Sequence, residues 1–217
     1  MEKRCEELQW TKDKMEQIKE LSSSTIRLLQ SDEINNMEEL FRQMYPQHLP
    51  ISWLWTDDNS NYAGVYMDGP MKGMICYLNH EEPDYSPVFQ SIDRFLAAIL
   101  QAGPDAYMEE LQTDYPGTLA GELEWGVVQQ LTETVGQLDD EEARVQYLFA
   151  LMSLTPANKL DTLLPYLDDE DMYVQERVCD IIGYYGYVPA KDKLKWIAEH
   201  GSLNGRSAAK RALSHLR

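Results

Sequence analysis

The densest group of oxygen-bearing side chains is Asp57-Asp58-Asn59-Ser60-Asn61. A hard cation needs such oxygens, but an EF-hand-type loop also needs Gly at its sixth position and Glu at its twelfth, and neither is present. Asx side chains that hydrogen-bond their own backbone make a turn the expected reading. His80-Glu81-Glu82 with Asp84 supplies metal-ligand types, yet neighbouring loop residues rarely converge on one ion, and no HExxH pair exists. A solvated loop is expected there. His48, His80, His200 and His215 lie in separate regions, so no Ser-His-Asp or Cys-His arrangement can be assembled. There is no Gly-rich phosphate loop. These residues lead to an expectation of no catalysis, no cofactor and no bound metal.

Charge is the next signal. The 217 residues carry 37 Asp and Glu against 19 Lys and Arg, a net charge of −18. Phosphate backbones and anionic membrane surfaces are repelled by such a chain, whereas basic partners are attracted. Between Asp105 and Tyr185 there are 18 acidic and three basic residues; from Pro189 to Arg217 there are seven basic and two acidic. The expected partner is therefore a basic protein, not nucleic acid and not a membrane. Cys5, Cys76 and Cys179 are widely spaced and odd in number, with no CxxC pair, which points to reduced thiols in the cytosol. The N-terminus has no apolar signal-like core, and no apolar run is long enough to span a bilayer. A cytoplasmic location is expected.

Several kinds of element must position these groups. Residues 1 to about 45 read as helical. One helix carries Leu8, Met15, Ile18 and Leu21, and a second runs through Ile26 and Leu29 after the serine run at 22–24. A third carries Met37, Leu40, Phe41 and Met44 beyond a break at Asn35-Asn36. The pattern then changes. Ile51–Thr56, Tyr62–Met67 and Gly73–Leu78 are rich in β-branched and aromatic residues, and short turn sequences separate them, as in an antiparallel meander. Strict alternation puts Trp53 and Trp55 on one face, both buried or both exposed as a binding hot spot. Val88–Gln101 returns to helix, and Gly103-Pro104 marks a boundary. The expected organisation is N-terminal helices to 45, a sheet-bearing module at 46–103 and a helical array at 104–217, an α+β protein.

In the last segment Leu138-Asp139-Asp140-Glu141-Glu142 recurs as Leu167-Asp168-Asp169-Glu170-Asp171, at an offset of 29 residues. A looser copy follows at 31, with Leu163 matching Leu194 and Val178 matching Ala209. Periods of this size predict stacked helical hairpins, which present surfaces more often than catalytic pockets. Residues from about 117 onward are expected to be almost wholly helical. Tyr184, Tyr185 and Tyr187 are read as packing between repeats.

Leu163–Asp171, then Val174-Gln175-Glu176-Arg177-Val178 to Ile182-Gly183, resembles HEAT-type repeats, with Gln175 where Arg is usual; Arg206–Leu213 fits the same second-helix pattern. Leu49-Pro50-Ile51 through Trp55–Tyr66, then Gly73-Met74-Ile75, Leu78–Glu81 and the Ser91–Leu96 helix, resembles the SUKH superfamily of immunity proteins and Smi/Knr-type regulators. That resemblance implies a non-enzymatic protein that binds another protein, many members being taken to neutralise polymorphic toxins, often nucleases. The expected function is immunity to a basic toxin domain. A cytoplasmic scaffold or adaptor, recruiting a cellular protein through the helical array, is the alternative. The expected binding residues are Asp139, Asp140, Glu141, Asp168, Asp169 and Glu170 on the repeat turns. On the sheet module they are Asp57, Asp58, Asn59, His80 and Glu81.

Overall fold

A computed structural model describes residues 11–21, 25–44, 49–78, 84–117 and 119–216. Two compact units divide at Tyr115 and Pro116. The first mixes helices with a five-stranded sheet; the second is helical.

The sheet is an antiparallel meander in chain order: β1 Arg27–Leu28, β2 Ile51–Thr56, β3 Tyr62–Tyr66, β4 Ile75–Leu78 and β5 Pro87–Phe89. The three strands expected from composition are β2, β3 and β4. The segment through Ile26 and Leu29 is not helical as expected. Arg27 and Leu28 instead pair with Thr56 and Trp55, and the Leu29 N–H donates to the Leu54 carbonyl at 2.8 Å. So short a segment cannot repay helix nucleation, whereas the edge of β2 offers its backbone ready partners. Similarly, Pro87–Phe89 is an edge strand, where a missing N–H is tolerated, and the following helix starts only at Ile92.

The expectation that Trp53 and Trp55 share a face is wrong. Trp53 pairs with Gly64 and Trp55 with Ala63, so Leu54 is an extra residue in β2 and the alternation breaks there. Trp53 therefore turns to one face, 4.9 Å from the Phe41 ring, and Trp55 to the other, 5.1 Å from the Phe95 ring. Both are almost fully buried, at 1% and 2% exposure, which removes the exposed tryptophan pair as a binding hot spot. A Cβ at residue 64 would lie 2.5 Å from Ile51 Cγ2 and 2.7 Å from the Trp53 ring, so glycine is what lets that indole lie across β3.

Helices cover both faces. Around the sheet lie α1 Lys12–Leu21, α2 Ser31–Met44 and α3 Ile92–Ala102. Asn35 and Asn36 do not interrupt α2. They sit exposed within it, each costing at most ~0.7 kcal/mol in propensity, while Ile34 is buried and Phe41 packs on Trp53. In α3 the apolar stripe Ile92, Phe95, Leu96 and Ile99 is buried, and the Ser91 side chain caps the Arg94 N–H. The spacing placed the boundary at Gly103-Pro104, yet residues 104–115 bond to the sheet unit. The Pro104 carbonyl accepts from the Thr25 N–H, and the Asp114 N–H donates to Val88 at 2.8 Å. Arg94 clamps the buried Asp114 carboxylate at 2.6 Å.

In the second unit every described element is helical. These are α4 Glu122–Val135, α5 Glu141–Leu154, a 3₁₀ segment Ala157–Asp168, α6 Met172–Tyr184, a 3₁₀ turn Val188–Ala190, α7 Lys191–His200 and α8 Leu203–His215. The side chains of Asp140, Asp171 and Ser202 cap α5, α6 and α8. These caps are 31 residues apart, which is the offset of the looser copy and not the 29 of the repeated acidic phrase. Burial follows the same frame: Ala143, Val174 and Gly205 are all buried, as are Ala150, Ile181 and Ala212. The phrase aligns by composition, whereas a helix starts where a side chain meets free N–H groups two or three residues on. Tyr185 donates to the Gly117 carbonyl at 3.1 Å, whereas Tyr184 is mostly exposed.

Candidate functional site

At one end of the helical unit the turns before α5, α6 and α8 are tied to each other. Arg144, in the first turn of α5, donates to Glu141 at 2.8 Å and reaches the next turn to pair with Asp169. Gln175, in the first turn of α6, is buried. Its amide N–H donates to the Leu167 carbonyl at 3.0 Å, and its amide oxygen accepts from the Ser202 N–H at 2.8 Å. One residue thus joins the second turn to the third. Lys193 on α7 pairs with Asp168 and lies 4.7 Å from the Trp196 ring centroid. The Trp196 indole stacks on His200 at 5.2 Å.

This geometry sorts the expected carboxylates by role. Asp140 is half-buried and caps the Ala143 N–H at 2.8 Å. The Asp169 side chain is only 8% exposed; it accepts from Arg144 and from the Asp171 N–H at 3.0 Å. Both hold the turn together. Asp139, Glu141, Asp168 and Glu170 are exposed, as is Glu142. Glu141 and Glu142 also lie in the first turn of α5, where negative charge complements the helix dipole. Hydrogen bonding to Asp169 raises the pKa of the Arg144 guanidinium, so the cation that links the turns stays charged.

Apolar residues that sequence reasoning passed over share this end. Met172 and Leu203 directly follow the caps of α6 and α8, and Tyr173 is next to Met172; Leu203 is 70% exposed and Tyr173 52%. Trp196 is half exposed. The 31-residue offset relates the first pair, because it puts an apolar residue at the first helical position twice. An edge that mixes carboxylates with accessible Tyr, Trp and Leu can steer a basic protein and then bury apolar area against it. The third turn, His200-Gly201-Ser202, has no carboxylate.

On the sheet unit, Asp57 is buried within its turn. It accepts from the Asn59 N–H and the Asn61 amide, both at 3.0 Å, and from the Met108 N–H at 3.5 Å. It is a brace for the loop and for the 3₁₀ turn Met108–Glu110, as the Asx reading implies. Asp58 is exposed and receives Arg27 at 2.8 Å. Asn59 is exposed and, with Asn61, Tyr107, Glu109 and Glu110, lines a shallow hollow of about 430 Å³. His80 and Glu81 lie outside the described residues. Among the described residues no three His, Cys, Asp or Glu side chains are placed to hold a metal ion, and no helix is long and apolar enough to cross a membrane. Burial pushes the Cys179 thiol up to about 12 and the Cys76 thiol higher still, so neither is a ready nucleophile.

Arg27 also forks onto Glu33, at 2.8 and 2.9 Å, while the Gln30 N–H donates to the same carboxylate at 2.7 Å. Those bonds hold the Glu33 pKa down to about 2, from 4.5. A depressed carboxylate stabilises the fold fully above its unfolded pKa and loses that effect as pH falls toward the folded value. Glu33→Gln is therefore expected to lower the melting temperature at neutral pH, with the gap to wild type closing between about pH 5 and about pH 2. The pair is about one-third exposed, so solvent screening limits the difference to on the order of 1 kcal/mol. A gap that stays constant across that range of thermal melts would refute the linkage.

Comparison of the chain with protein-family models, with curated proteins and with solved structures returned no match.

Proposed function

We propose that the chain is a non-enzymatic, cytoplasmic protein-binding protein that confers immunity by neutralising a basic toxin domain, most readily a nuclease. In this reading the first unit is a SUKH-like module and the second a HEAT-like array. The antiparallel meander flanked by helices supports the first assignment, and capped helices recurring every 31 residues support the second. The observation that carries the function is the edge of the helical unit. There the exposed Asp139, Glu141, Glu142, Asp168 and Glu170 are gathered with exposed Tyr173, Trp196 and Leu203. A nuclease site is basic because it holds polyphosphate, and an inhibitor of opposite charge gains association rate and complementarity against it.

The test pairs this chain with the toxin domain encoded beside its gene. Host cells expressing the toxin alone should die, and cells co-expressing the chain should grow, with a stoichiometric complex recovered from them. Death in both cultures, with no complex at micromolar concentrations of the purified proteins, would sink the immunity reading. A neighbouring gene with no toxin domain would turn the search toward a scaffold or adaptor role.

A further inference from the structure

Lys193 is held at once by a carboxylate and by an aromatic face. Its ammonium group pairs with Asp168 and lies 4.7 Å from the centroid of the Trp196 ring. Both acceptors remain open to solvent: the Asp168 side chain is 63% exposed and Trp196 50%. The indole is also backed by a second ring. His200 stacks on it with an interplanar angle of 23°, and His200 Nδ1 lies 3.0 Å from the Trp196 carbonyl oxygen. A cation between a carboxylate and an indole is the arrangement by which proteins recognise ammonium and guanidinium groups.

We propose that Asp168 and Trp196 form a recognition subsite for an arginine of a basic protein partner, and that Lys193 fills it in the free chain as a built-in competitor. The inference rests on the reading that this edge binds a basic protein. Arginine is the fitting guest because its guanidinium is planar, stacks on aromatic faces, can bind a carboxylate through two N–H groups and is more weakly hydrated than ammonium. The displaced Lys193 loses little, because a strongly hydrated ammonium returns to water. Glu170, exposed in the same turn, adds negative potential beside the subsite.

The experiment uses the full chain and a capped hexa-arginine peptide, with hexa-citrulline as the uncharged counterpart, and affinity is read by calorimetry. Removing the competitor with Lys193→Met should tighten binding of hexa-arginine about three- to tenfold. Loss of any positive charge strengthens a basic ligand somewhat, so the control is Lys195→Met. Lys195 is an exposed lysine of the same helix that pairs with Asp192. The gain at Lys193 must exceed the gain at Lys195, and Trp196→Ala in the Lys193→Met background must abolish the excess. Trp196→Leu, which keeps apolar bulk, gives the same answer should the alanine variant fail to fold. Hexa-citrulline should not bind. Equal gains at Lys193 and Lys195, or a gain that survives loss of the indole, would overturn the subsite. Protection against a toxin plays no part in this readout. A chain that binds hexa-arginine through Trp196 but protects against no toxin refutes the immunity reading alone. Toxin protection with no indole-dependent arginine binding refutes the subsite alone.

Discussion

Gly183→Val should lower the stability of the helical unit by about 3 kcal/mol or more, the upper range for overpacking a tightly packed site. A Cβ at this position in α6 would lie 2.7 Å from the Cα and 2.8 Å from the Cβ of Ala212 in α8. One of those neighbours is backbone, so no side-chain rotation relieves the clash and the two helices must separate. For a unit of this size the melting temperature should fall by roughly 12 °C or more. Gly183→Ala should be milder, because helix propensity returns about 1 kcal/mol. Adding Ala212→Gly should restore part of the loss, since it removes the overlap of the two methyl groups but leaves the α8 backbone just as near. Far-ultraviolet circular dichroism melts of the full chain measure all of this. A Gly183→Val protein that melts like wild type would show that α6 and α8 do not approach so closely.

The second large effect separates steering from structure within one acidic run. Asp139→Asn combined with Glu170→Gln should slow association with a basic toxin domain about threefold to tenfold at low salt. The difference should shrink as salt shortens the screening length toward ~8–10 Å. Stability should hardly change, because both side chains are exposed. Asp169→Asn should do the reverse. It leaves the mostly buried end of the Arg144 pair without its charge and should cost about 1–3 kcal/mol, with little change in association rate. Stopped-flow association across ionic strength, beside thermal melts, gives both readings. If Asp169→Asn slows binding while Asp139→Asn with Glu170→Gln leaves it unchanged, the roles assigned to these carboxylates are inverted.

That contrast also marks how far the sequence could be read. Along Asp168-Asp169-Glu170 three similar residues look like one solvated run; only the Arg144 guanidinium, 25 positions earlier, singles out Asp169. The strands β2, β3 and β4 were legible because β-branched and aromatic runs alternate with turn residues. β1 was not, since two residues set no period, and its strand character comes from the free edge of β2. The extra residue at Leu54 was equally hidden: alternation reads the same with or without a bulge until the partner strand is known. The helical character of the second unit followed from its spacing, and so did the 31-residue offset of its last copy; the 29-residue offset of the acidic phrase did not hold for the helix starts. The acidic phrase repeats in composition, whereas the caps obey local hydrogen bonding. The turn-forming role of Asp57 is legible from its Asx neighbours; its bond to the Met108 N–H, 51 residues on, is not.

The unequal turns have a consequence for register. Were the three turns identical, a basic segment lying along the edge could shift by one module and meet the same chemistry, so several alignments would be nearly degenerate. Here two turns bear carboxylates and the third is His200-Gly201-Ser202, followed by a stretch rich in Lys and Arg. The edge therefore has a direction, like a ruler marked at one end only. A ligand with its positive charges clustered at one terminus has a single best alignment on it, and a reversed or shifted copy meets repulsion where it needs attraction.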